Sequence, residues 1–351
     1  MLDEEEEEEE DEIEEIDDEE SSSCFLTEAR DAAIGRSSNA TKHDRRVIVH
    51  IDLDCFYAQC EMRHNPSLRD RPMAIQQKYL LVTSNQVARN QGVHKMQSLA
   101  EARRRCPELV VVNGEDLTRY RECSELIYDV LKTFTPKLER LGLDETYLDI
   151  TAIIDAALGK EGEGGGEEGG KGEGEEATEV REKTMAASPP PSSSPSSYTF
   201  PPPSSLSSLV GNLYTPGGGG GGREKGRERE RQERQPACCT CGCVERLKAG
   251  SHVAQAMRQR LFEELGFTSC AGISNNKMLA KMAGELHKPN AQTTLLPGDA
   301  IPFLSPLPPR RLPGCGWATA RSLQRLGIDT VACLREISLS TLAPAVGEMQ
   351  R

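Results

Sequence analysis

Two short segments of this chain place acidic side chains where a strand is expected to end. Residues 50–57 contain Asp52, and residues 140–149 contain Asp144 and Glu145. Carboxylates from adjacent strand ends can hold two divalent cations about 4 Å apart, an arrangement that activates a hydroxyl and stabilises a leaving pyrophosphate. Mg²⁺ prefers such hard oxygen ligands. A strand can also end in acid simply because the chain turns there, but two such segments together favour nucleotidyl transfer.

Turn residues and basic residues elsewhere could bind a triphosphate. Cys55 and Phe56 follow the first acidic segment, and a turn out of a strand exposes backbone N–H groups that can cradle phosphates. The next residue, Tyr57, could lie under a sugar ring, although Phe56 and Tyr57 could equally be core residues. Arg binds phosphate as a fork and Lys as a point charge. The polar and basic candidates, which could instead be simply solvated, are Thr83, Arg89, Lys281 and Lys288.

A Pro-Gly-x-Gly hairpin precedes a predicted helix near the end of the chain. Residues 312–320 read Leu-Pro-Gly-Cys-Gly-Trp-Ala-Thr-Ala, which is typical of a helix-hairpin-helix element. Gly314 and Gly316 would let backbone N–H groups approach a DNA phosphate without reading the base sequence. A helical hairpin with no DNA-binding role is the alternative.

The elements that must position these residues alternate between strands and helices. Dense β-branched and apolar residues predict strands at 47–51, 72–75, 80–83, 109–112 and 269–273, and the segment 137–151 holds the second acidic strand. Apolar residues spaced three and four apart predict helices at 86–91, 98–106, 117–134, 247–265 and 277–286. Ser98 and Glu101 have the spacing of a capping box at the start of the second of these helices.

Two parts of the chain are predicted to be disordered. The first twenty residues contain sixteen acids and no base, so residues 1–44 form an acidic tail with too little apolar surface to fold. Residues 152–243 contain Gly/Glu repeats, Pro/Ser runs and a tract of six glycines, which is typical of a low-complexity insertion. The tail contributes more than the whole formal net charge of −14, so the acidic balance does not exclude a polyanionic partner.

The sequence also predicts the compartment. No apolar run is long enough to span a bilayer, and the first residues lack the basic and apolar regions of a signal peptide. An intracellular protein without membrane association is expected, and its twelve cysteines are then predicted to be mostly reduced. The cluster at Cys238, Cys239, Cys241 and Cys243 is spaced too tightly for a structural zinc site built from two separated pairs.

Taken together, residues 46–151 and 244–351 resemble the Y-family translesion DNA polymerases. The motifs that carry the resemblance lie at 49–59 (Val-His-Ile-Asp-Leu-Asp-Cys-Phe-Tyr-Ala-Gln), 76–80, 112–121, 140–145 and 288–290. The resemblance implies an α+β fold with a ferredoxin-like βαββαβ palm, small α/β fingers and a helical thumb that contains the helix-hairpin-helix. The expected boundaries are 45–55, 117–151 and 244–295 for the palm, 56–116 for the fingers and 296–351 for the thumb.

The resemblance also implies a role for each candidate residue. Asp52, Asp144 and Glu145, with the backbone carbonyl of Leu53, would hold two Mg²⁺ or Mn²⁺ ions, and Tyr57 would exclude a ribose 2′-hydroxyl. The triphosphate would be held by Cys55, Phe56, Thr83, Arg89 and Lys288. The surface over the templating base would be lined by Gln77, Lys78 and Leu80, and the DNA backbone would be bound by Gly314 and Gly316.

The implied reaction is template-directed addition of a dNTP to a primer 3′-hydroxyl opposite damaged bases, with low fidelity and in the nucleus. Gln86 stands where the family's triphosphate motif usually has Tyr. The family's little-finger domain and the C-terminal segments that bind a sliding clamp and translesion scaffold partners are expected to be absent from these residues. Two alternatives stay open: a truncated, non-catalytic DNA-binding module, and a nucleotide cyclase with a similar palm.

Overall fold

The computed structural model describes residues 45–159, 206, 208–216, 241–338 and 340–342. These residues fall into two compact units, one ending at Leu307 and one beginning at Pro308. The strands are β1 (Ile48–Leu53), β2 (Met73–Gln77), β3 (Leu80–Ser84), β4 (Gln97–Ser98), β5 (Val110–Asn113), β6 (Leu138–Leu141), β7 (Glu145–Asp149), β8 (Asn212–Leu213), β9 (Ser269–Ser274) and β10 (Gln292–Thr294). The helices are α1 (Phe56–His64), α2 (Gln86–Asn90), α3 (Leu99–Arg105), α4 (Thr118–Lys132), α5 (Thr151–Gly159), α6 (Cys243–Leu265), α7 (Lys277–Gly284), α8 (Ala300–Leu304), α9 (Trp317–Arg325) and α10 (Val331–Glu336).

The larger sheet of the first unit has the order β6-β7-β1-β9-β10-β8. Strand β1 is antiparallel to both of its neighbours, β7 and β9. Helix α4 precedes β6, and α6 lies between β7 and β9 in the chain, so β1-α4-β6-β7-α6-β9 is the predicted ferredoxin-like βαββαβ arrangement. Strands β10 and β8 extend it by parallel pairing.

The two faces of β1 have different surroundings because side chains alternate along a strand. Val49, Ile51 and Leu53 belong to the main hydrophobic core, together with residues of α4 and α6 such as Leu131 and Met257. His50 and Asp52 point to the opposite face. The hydrophobic side therefore anchors the sheet, and the polar side carries the candidate site residue Asp52.

Helix α7 covers the polar face of the sheet at close range. Gly272 of β9 pairs with His50 of β1, and a Cβ atom on Gly272 would lie 1.8 Å from the Ala280 carbonyl oxygen. Only a residue without a side chain allows this approach. It brings Lys281, on the same helix, to the polar face of β1 and β7.

The smaller sheet has the order β4-β3-β2-β5, with β2 and β5 parallel. Its core contains Leu81, Ala88 and Ala102, and Ser98 caps α3 by accepting a hydrogen bond from the Glu101 N–H at 3.3 Å, as predicted. Asn85, 2% exposed, caps α2 and also accepts from the Met73 N–H at 3.1 Å. The two helices that accompany this sheet, α2 and α3, are thus each capped by a side chain directly before the helix.

The prediction of a single strand within residues 137–151 was wrong. The segment forms a hairpin of β6 and β7, in which Leu141 is paired with Glu145. Gly142 adopts a φ of +73°, a left-handed conformation that glycine accepts without steric cost and that reverses the chain. Asp144 therefore lies in the turn, and Glu145 begins a strand.

The predicted insertion at 152–243 is too wide at both ends. Residues 151–159 form α5, whose Ile154 is fully buried in the main core, and α6 begins at Cys243. Leu206 is also buried in that core, and β8 pairs with β10. Apolar residues at the edges of the low-complexity stretch thus join the fold. The acidic tail at 1–44 and the remainder of the insertion lie outside the described residues.

The second unit begins at Pro308, whereas the thumb was predicted to begin at 296. Helix α8 belongs to the first unit, where Phe303 makes an edge contact with Tyr214 at 4.9 Å between ring centroids. Within the second unit a turn of 3₁₀ helix at Pro309–Arg311 leads through Gly314 to α9 and α10.

Of the helices that the structure describes, none combines the length and the apolar character needed to cross a membrane.

Candidate active site

Asp52 and Glu145 lie directly opposite each other in adjacent strands. They are register partners in the antiparallel pair of β1 and β7, and Asp144 precedes Glu145 in the turn. The Leu53 N–H donates to the Asp144 carbonyl oxygen at 3.0 Å, which fixes the turn beside the end of β1. Two segments more than ninety residues apart therefore bring their three carboxylates together, as the sequence predicted.

Glu145 is held by two basic side chains on the polar face. Its Oε2 atom lies 3.1 Å from Nε2 of His50 and 2.5 Å from Nζ of Lys281. Burial alone would raise the pKa of this carboxyl, but the hydrogen bond with His50 and the charge of Lys281 outweigh it and lower the pKa to about 2. His50 is 1% exposed, so it contacts Glu145 from a buried position on the polar face.

Asp52 and Asp144 differ from each other in their partners. Lys288 places its Nζ 2.5 Å from Oδ2 of Asp52. Among the residues that the structure describes, Asp144 makes no such ion pair, and its burial, followed by repulsion from Asp52 and Glu145, raises its pKa to about 6. The site thus holds one carboxyl that resists ionisation beside two that are paired with ammonium groups.

The donor set fits divalent cations such as Mg²⁺ or Mn²⁺. All three side chains supply hard carboxylate oxygens, and a cation between them would offset the repulsion that raises the pKa of Asp144. As the side chains stand, however, no three His, Cys, Asp or Glu residues in the described segments are arranged to hold a metal ion. Lys288 contacts Oδ2 of Asp52 and Lys281 contacts Oε2 of Glu145, so a cation bound through these two oxygens would have to displace the ammonium groups.

The other two acids in these segments, Asp54 and Asp149, have structural contacts. Asp54 accepts from the Asn290 N–H at 3.0 Å and from the Cys270 thiol at 3.1 Å. Asp149 accepts from the Thr151 N–H at 2.9 Å at the start of α5.

Cys55 and Tyr57 lie at the start of α1, next to the carboxylates. Cys55 has a left-handed φ of 38°, and no side chain caps the helix, so the first-turn N–H groups have no side-chain acceptor. The Tyr57 ring contacts Tyr120 with centroids 4.3 Å apart. Burial and the charge of Asp144 raise the pKa of Tyr57, which places its hydroxyl within electrostatic range of the acidic site. Phe56 is buried in the main core.

The basic and polar candidates of the smaller sheet are mostly engaged locally. Thr83 is buried in β3, and Arg89 donates from Nε to the Ser84 carbonyl at 3.1 Å. Burial raises the pKa of the Cys55 thiol, and the charge of Arg89 acts against that rise, so Arg89 lies within electrostatic range of the start of α1. Gln86 donates to Asn90 at 2.9 Å within its own helix.

The residues predicted to cover the templating base lie in and beside the β2–β3 turn. Gln77 donates to the Gly114 carbonyl at 2.7 Å, and the Lys78 N–H donates to Glu115 at 3.3 Å. Leu80 begins β3. Their hydrogen bonds fix the turn against the loop after β5 and are not directed at the carboxylates.

Gly314 and Gly316 lie in the second unit, which begins at Pro308. Gly314 has a φ of +82°, and a Cβ atom at either glycine would meet nothing within 4 Å. The backbone at the start of α9 is therefore open, as a phosphate-binding hairpin requires.

His50 was not predicted from the sequence as a partner of Glu145, and Lys281 was predicted only as a phosphate contact. The alternation of β1 could have indicated His50, because it lies on the same face as Asp52. No sequence pattern could have indicated that Lys281 reaches Glu145, since this depends on the packing of α7.

The chain matches the model of the impB/mucB/samB family over residues 51–285, a range that includes all three carboxylates. It is 36% identical over 303 residues to DNA polymerase iota of Mus musculus and 35% identical to that of Homo sapiens, with 86% of this chain covered in each comparison. It is also 29% identical to DNA polymerase IV of Serratia proteamaculans, over 87% of this chain and 62% of that protein.

The chain spans only about a third of the iota polymerases it matches, 34% of the mouse protein and 33% of the human one. A solved structure described as a Dbh ternary complex superimposes with a TM-score of 0.55 at 19% identity, covering 87% of this chain and 64% of that one. At this identity the structural match bears on the fold alone, and it agrees with the α+β arrangement described above.

Proposed function

This chain belongs to the impB/mucB/samB family, and from that premise we propose that it is a template-directed DNA polymerase of the translesion type. It would add a dNTP to a primer 3′-hydroxyl and release pyrophosphate. The observation that carries the proposal is the register pairing of Asp52 with Glu145, with Asp144 in the adjoining turn. The named relatives, which are DNA polymerases, support the same activity.

In this proposal the metal-binding groups are Asp52, Asp144, Glu145 and the Leu53 carbonyl. Two bound Mg²⁺ or Mn²⁺ ions would lower the pKa of the primer hydroxyl and neutralise charge on the triphosphate. Lys288 and Lys281 balance the charges of Asp52 and Glu145, and a bound cation would take over that role.

The same lysines are then well placed for the nucleotide. A displaced Lys288 becomes an unpaired ammonium group next to the site, which suits a phosphate oxygen. The uncapped start of α1, with the N–H groups of Cys55 and Phe56, and the nearby Arg89 and Thr83 would complete the triphosphate site. These positions support the predicted triphosphate contacts. Lys281, also a predicted contact, would reach a phosphate after its release from Glu145.

Tyr57 would act on the sugar. Its ring is fixed by contact with Tyr120 at the edge of the acidic site, so it cannot easily move away from a ribose 2′-hydroxyl. The β2–β3 turn, with Gln77, Lys78 and Leu80, would lie over the templating base, and Gly314 and Gly316 would bind the DNA backbone.

Primer extension by the purified chain tests the proposal. With primer-template DNA, dNTPs and Mg²⁺ or Mn²⁺, we expect stepwise extension that requires the metal. DNA binding with no extension would favour the non-catalytic module, which the lysine-occupied carboxylates would then explain. A cyclic product from NTP alone would favour the cyclase.

Location and protein partners belong to the same proposal. The mouse and human relatives support a nuclear location, which imaging of the tagged chain in a eukaryotic cell would test. Binding to a sliding clamp or a translesion scaffold stays a prediction from the family resemblance, and a pull-down with this chain would test it.

A further inference from the structure

Two cysteines meet between α1 and α4, outside the carboxylate group. Cys60 is 1% exposed and Cys123 is 5% exposed, both are free thiols, and their side chains are hydrogen-bonded to each other. Neither has a role in the proposed transfer reaction. Adjacent thiols differ from a lone buried cysteine because they can be joined by oxidation within one molecule.

The hydrogen bond makes the two thiols chemically different. It lowers the pKa of Cys123, with help from the charge of Arg63, while it raises the pKa of Cys60. The thiolate is the reactive form of cysteine. Cys123 is the more exposed of the two residues, at 5% against 1% for Cys60, so Cys123 is the nucleophile of the pair and Cys60 the resolving thiol.

A groove gives the pair access to solvent. A cavity of about 610 Å³ is lined by both cysteines and by side chains that are mostly charged: Arg63, His64, Arg119 and Glu122. This space admits a small oxidant, although each cysteine is largely covered. The arginines at its wall also favour negative charge on sulfur.

We propose that Cys60 and Cys123 form a redox modification site for hydrogen peroxide. The Cys123 sulfur attacks one peroxide oxygen, which breaks the O–O bond, gives a sulfenic acid and releases one water. The Cys60 sulfur then displaces the hydroxyl from the sulfenic sulfur, which forms the S–S bond and releases a second water. Two thiols thus lose two protons and two electrons, and one peroxide is reduced to two waters.

The disulfide would lie one helical turn from a residue of the proposed active site. Tyr57 precedes Cys60 by three residues on α1, and Tyr120 precedes Cys123 by three residues on α4, so the two pairs form successive contacts between the same helices. Tyr57 and Tyr120 already touch. A disulfide between Cys60 and Cys123, one helical turn further along, would fix the distance between α1 and α4 beside Tyr57. Its effect on nucleotide selection rests on the proposed function.

Peptide mapping of the intact chain tests the site. The chain is treated with dilute hydrogen peroxide, remaining thiols are alkylated, and the digest is analysed by mass spectrometry. We expect one cross-linked pair of peptides that contain Cys60 and Cys123, lighter by two hydrogen atoms than the separate peptides and released by dithiothreitol. Cys60→Ser and Cys123→Ser should each abolish it, whereas Cys106→Ala, which removes a fully buried thiol of the smaller sheet, should leave it intact.

Recovery of Cys60 and Cys123 as alkylated or separately oxidised residues, while peroxide oxidises other cysteines, would overturn the proposal. So would a disulfide that joins either residue to a different cysteine. If a serine variant fails to fold, mapping of the unsubstituted chain decides alone. The readout is mass and needs no polymerase activity, so an inactive chain would contradict the proposed function without affecting this test.

Discussion

The two sheets of the first unit use their polar residues in opposite ways. In the six-stranded sheet, His50, Glu145 and Lys281 form one connected group under α7. In the four-stranded sheet, the buried Asn85 satisfies backbone groups, and Gln77 fixes a turn. In the six-stranded sheet the polar side chains pair charged groups with one another. In the four-stranded sheet they form hydrogen bonds with backbone groups of the sheet and its turns.

This difference separates the candidate metal-binding carboxylates from the residues proposed to lie over the templating base. The carboxylates depend on contacts between distant segments, such as the side-chain contact between His50 and Glu145, which lie 95 positions apart in the chain. The turn at Gln77 depends on a contact 37 positions away. Changes at the polar face of the large sheet should therefore affect the reaction and the fold together, whereas changes in the small sheet should be absorbed locally.

The largest expected effect is on activity at the large sheet. Asp144→Asn combined with Glu145→Gln should lower the rate of primer extension by about a thousandfold or more, a loss of about 4 kcal/mol in transition-state stabilisation, because the cations lose their ligands. Gln77→Ala in the small sheet is the matched control, with an expected change below about tenfold. Extension by the double variant at a rate within tenfold of the unsubstituted chain would remove these residues from the site.

Stability should show the same contrast at two glycines. A Cβ atom on Gly272 would meet the backbone of α7 at 1.8 Å, whereas one on Gly114 would meet a terminal side-chain carbon of Ile75 at 2.3 Å. Gly272→Ala should cost about 3 kcal/mol or more, and Gly114→Ala about 1 kcal/mol, because a backbone cannot move aside as a side chain can. Urea unfolding measures both, and equal costs would show that the two sheets tolerate crowding alike.

Much of the large sheet could be predicted from the sequence because its signals are local. The alternation in β1 separates Val49 and Ile51 from Asp52, and the order of strands and helices indicates the ferredoxin-like arrangement. The Ser98 cap is likewise specified within four residues. Even the hairpin at Gly142 had a local signal, because the glycine lies between two strand-like segments. The prediction of a single strand did not take this glycine into account.

The remainder depends on contacts between distant segments. Lys281 and Lys288 reach Glu145 and Asp52 only because α7 and the loop after it pack over β9. The meeting of Cys60 with Cys123 requires α1 and α4 to pack side by side. Neither packing arrangement leaves a pattern within one segment of the sequence. Residue type alone could therefore suggest the lysines as candidates, but it could not show which residue each lysine or cysteine contacts.

Within the acidic site, the stability of the cation-free protein should depend on pH in two opposite ways. Asp144 has its pKa raised from 3.8 to about 6, so its ionisation destabilises the fold, an effect absent below about pH 4 and complete above about pH 6. Glu145 has its pKa lowered from 4.5 to about 2, so its ionisation stabilises the fold above about pH 4.5 and is lost as the pH falls toward 2.

The two single variants should therefore move stability in opposite directions. At pH 7 with EDTA present, Asp144→Asn should raise the free energy of unfolding by about 2 kcal/mol, and Glu145→Gln should lower it by a similar amount. Thermal unfolding at pH 7 and pH 4 measures both, and the gain from Asp144→Asn should disappear at the lower pH. Loss of stability in both variants at pH 7 would show that the two carboxyls have equivalent surroundings.

The smallest expected effect concerns Tyr57, which packs against the cores of both sheets. Tyr57→Ala removes the ring that would lie under the sugar, so discrimination against ribonucleotides should fall by about tenfold, or about 1.4 kcal/mol, while extension with dNTPs changes less. Tyr79, 72% exposed at the β2–β3 turn, is the matched control, and Tyr79→Ala should leave the ratio unchanged. The ratio of ribonucleotide to deoxyribonucleotide incorporation is the measurement. A shift in both variants would assign sugar selection to the small sheet, whereas a shift in Tyr57→Ala alone would place it where α1 joins the two.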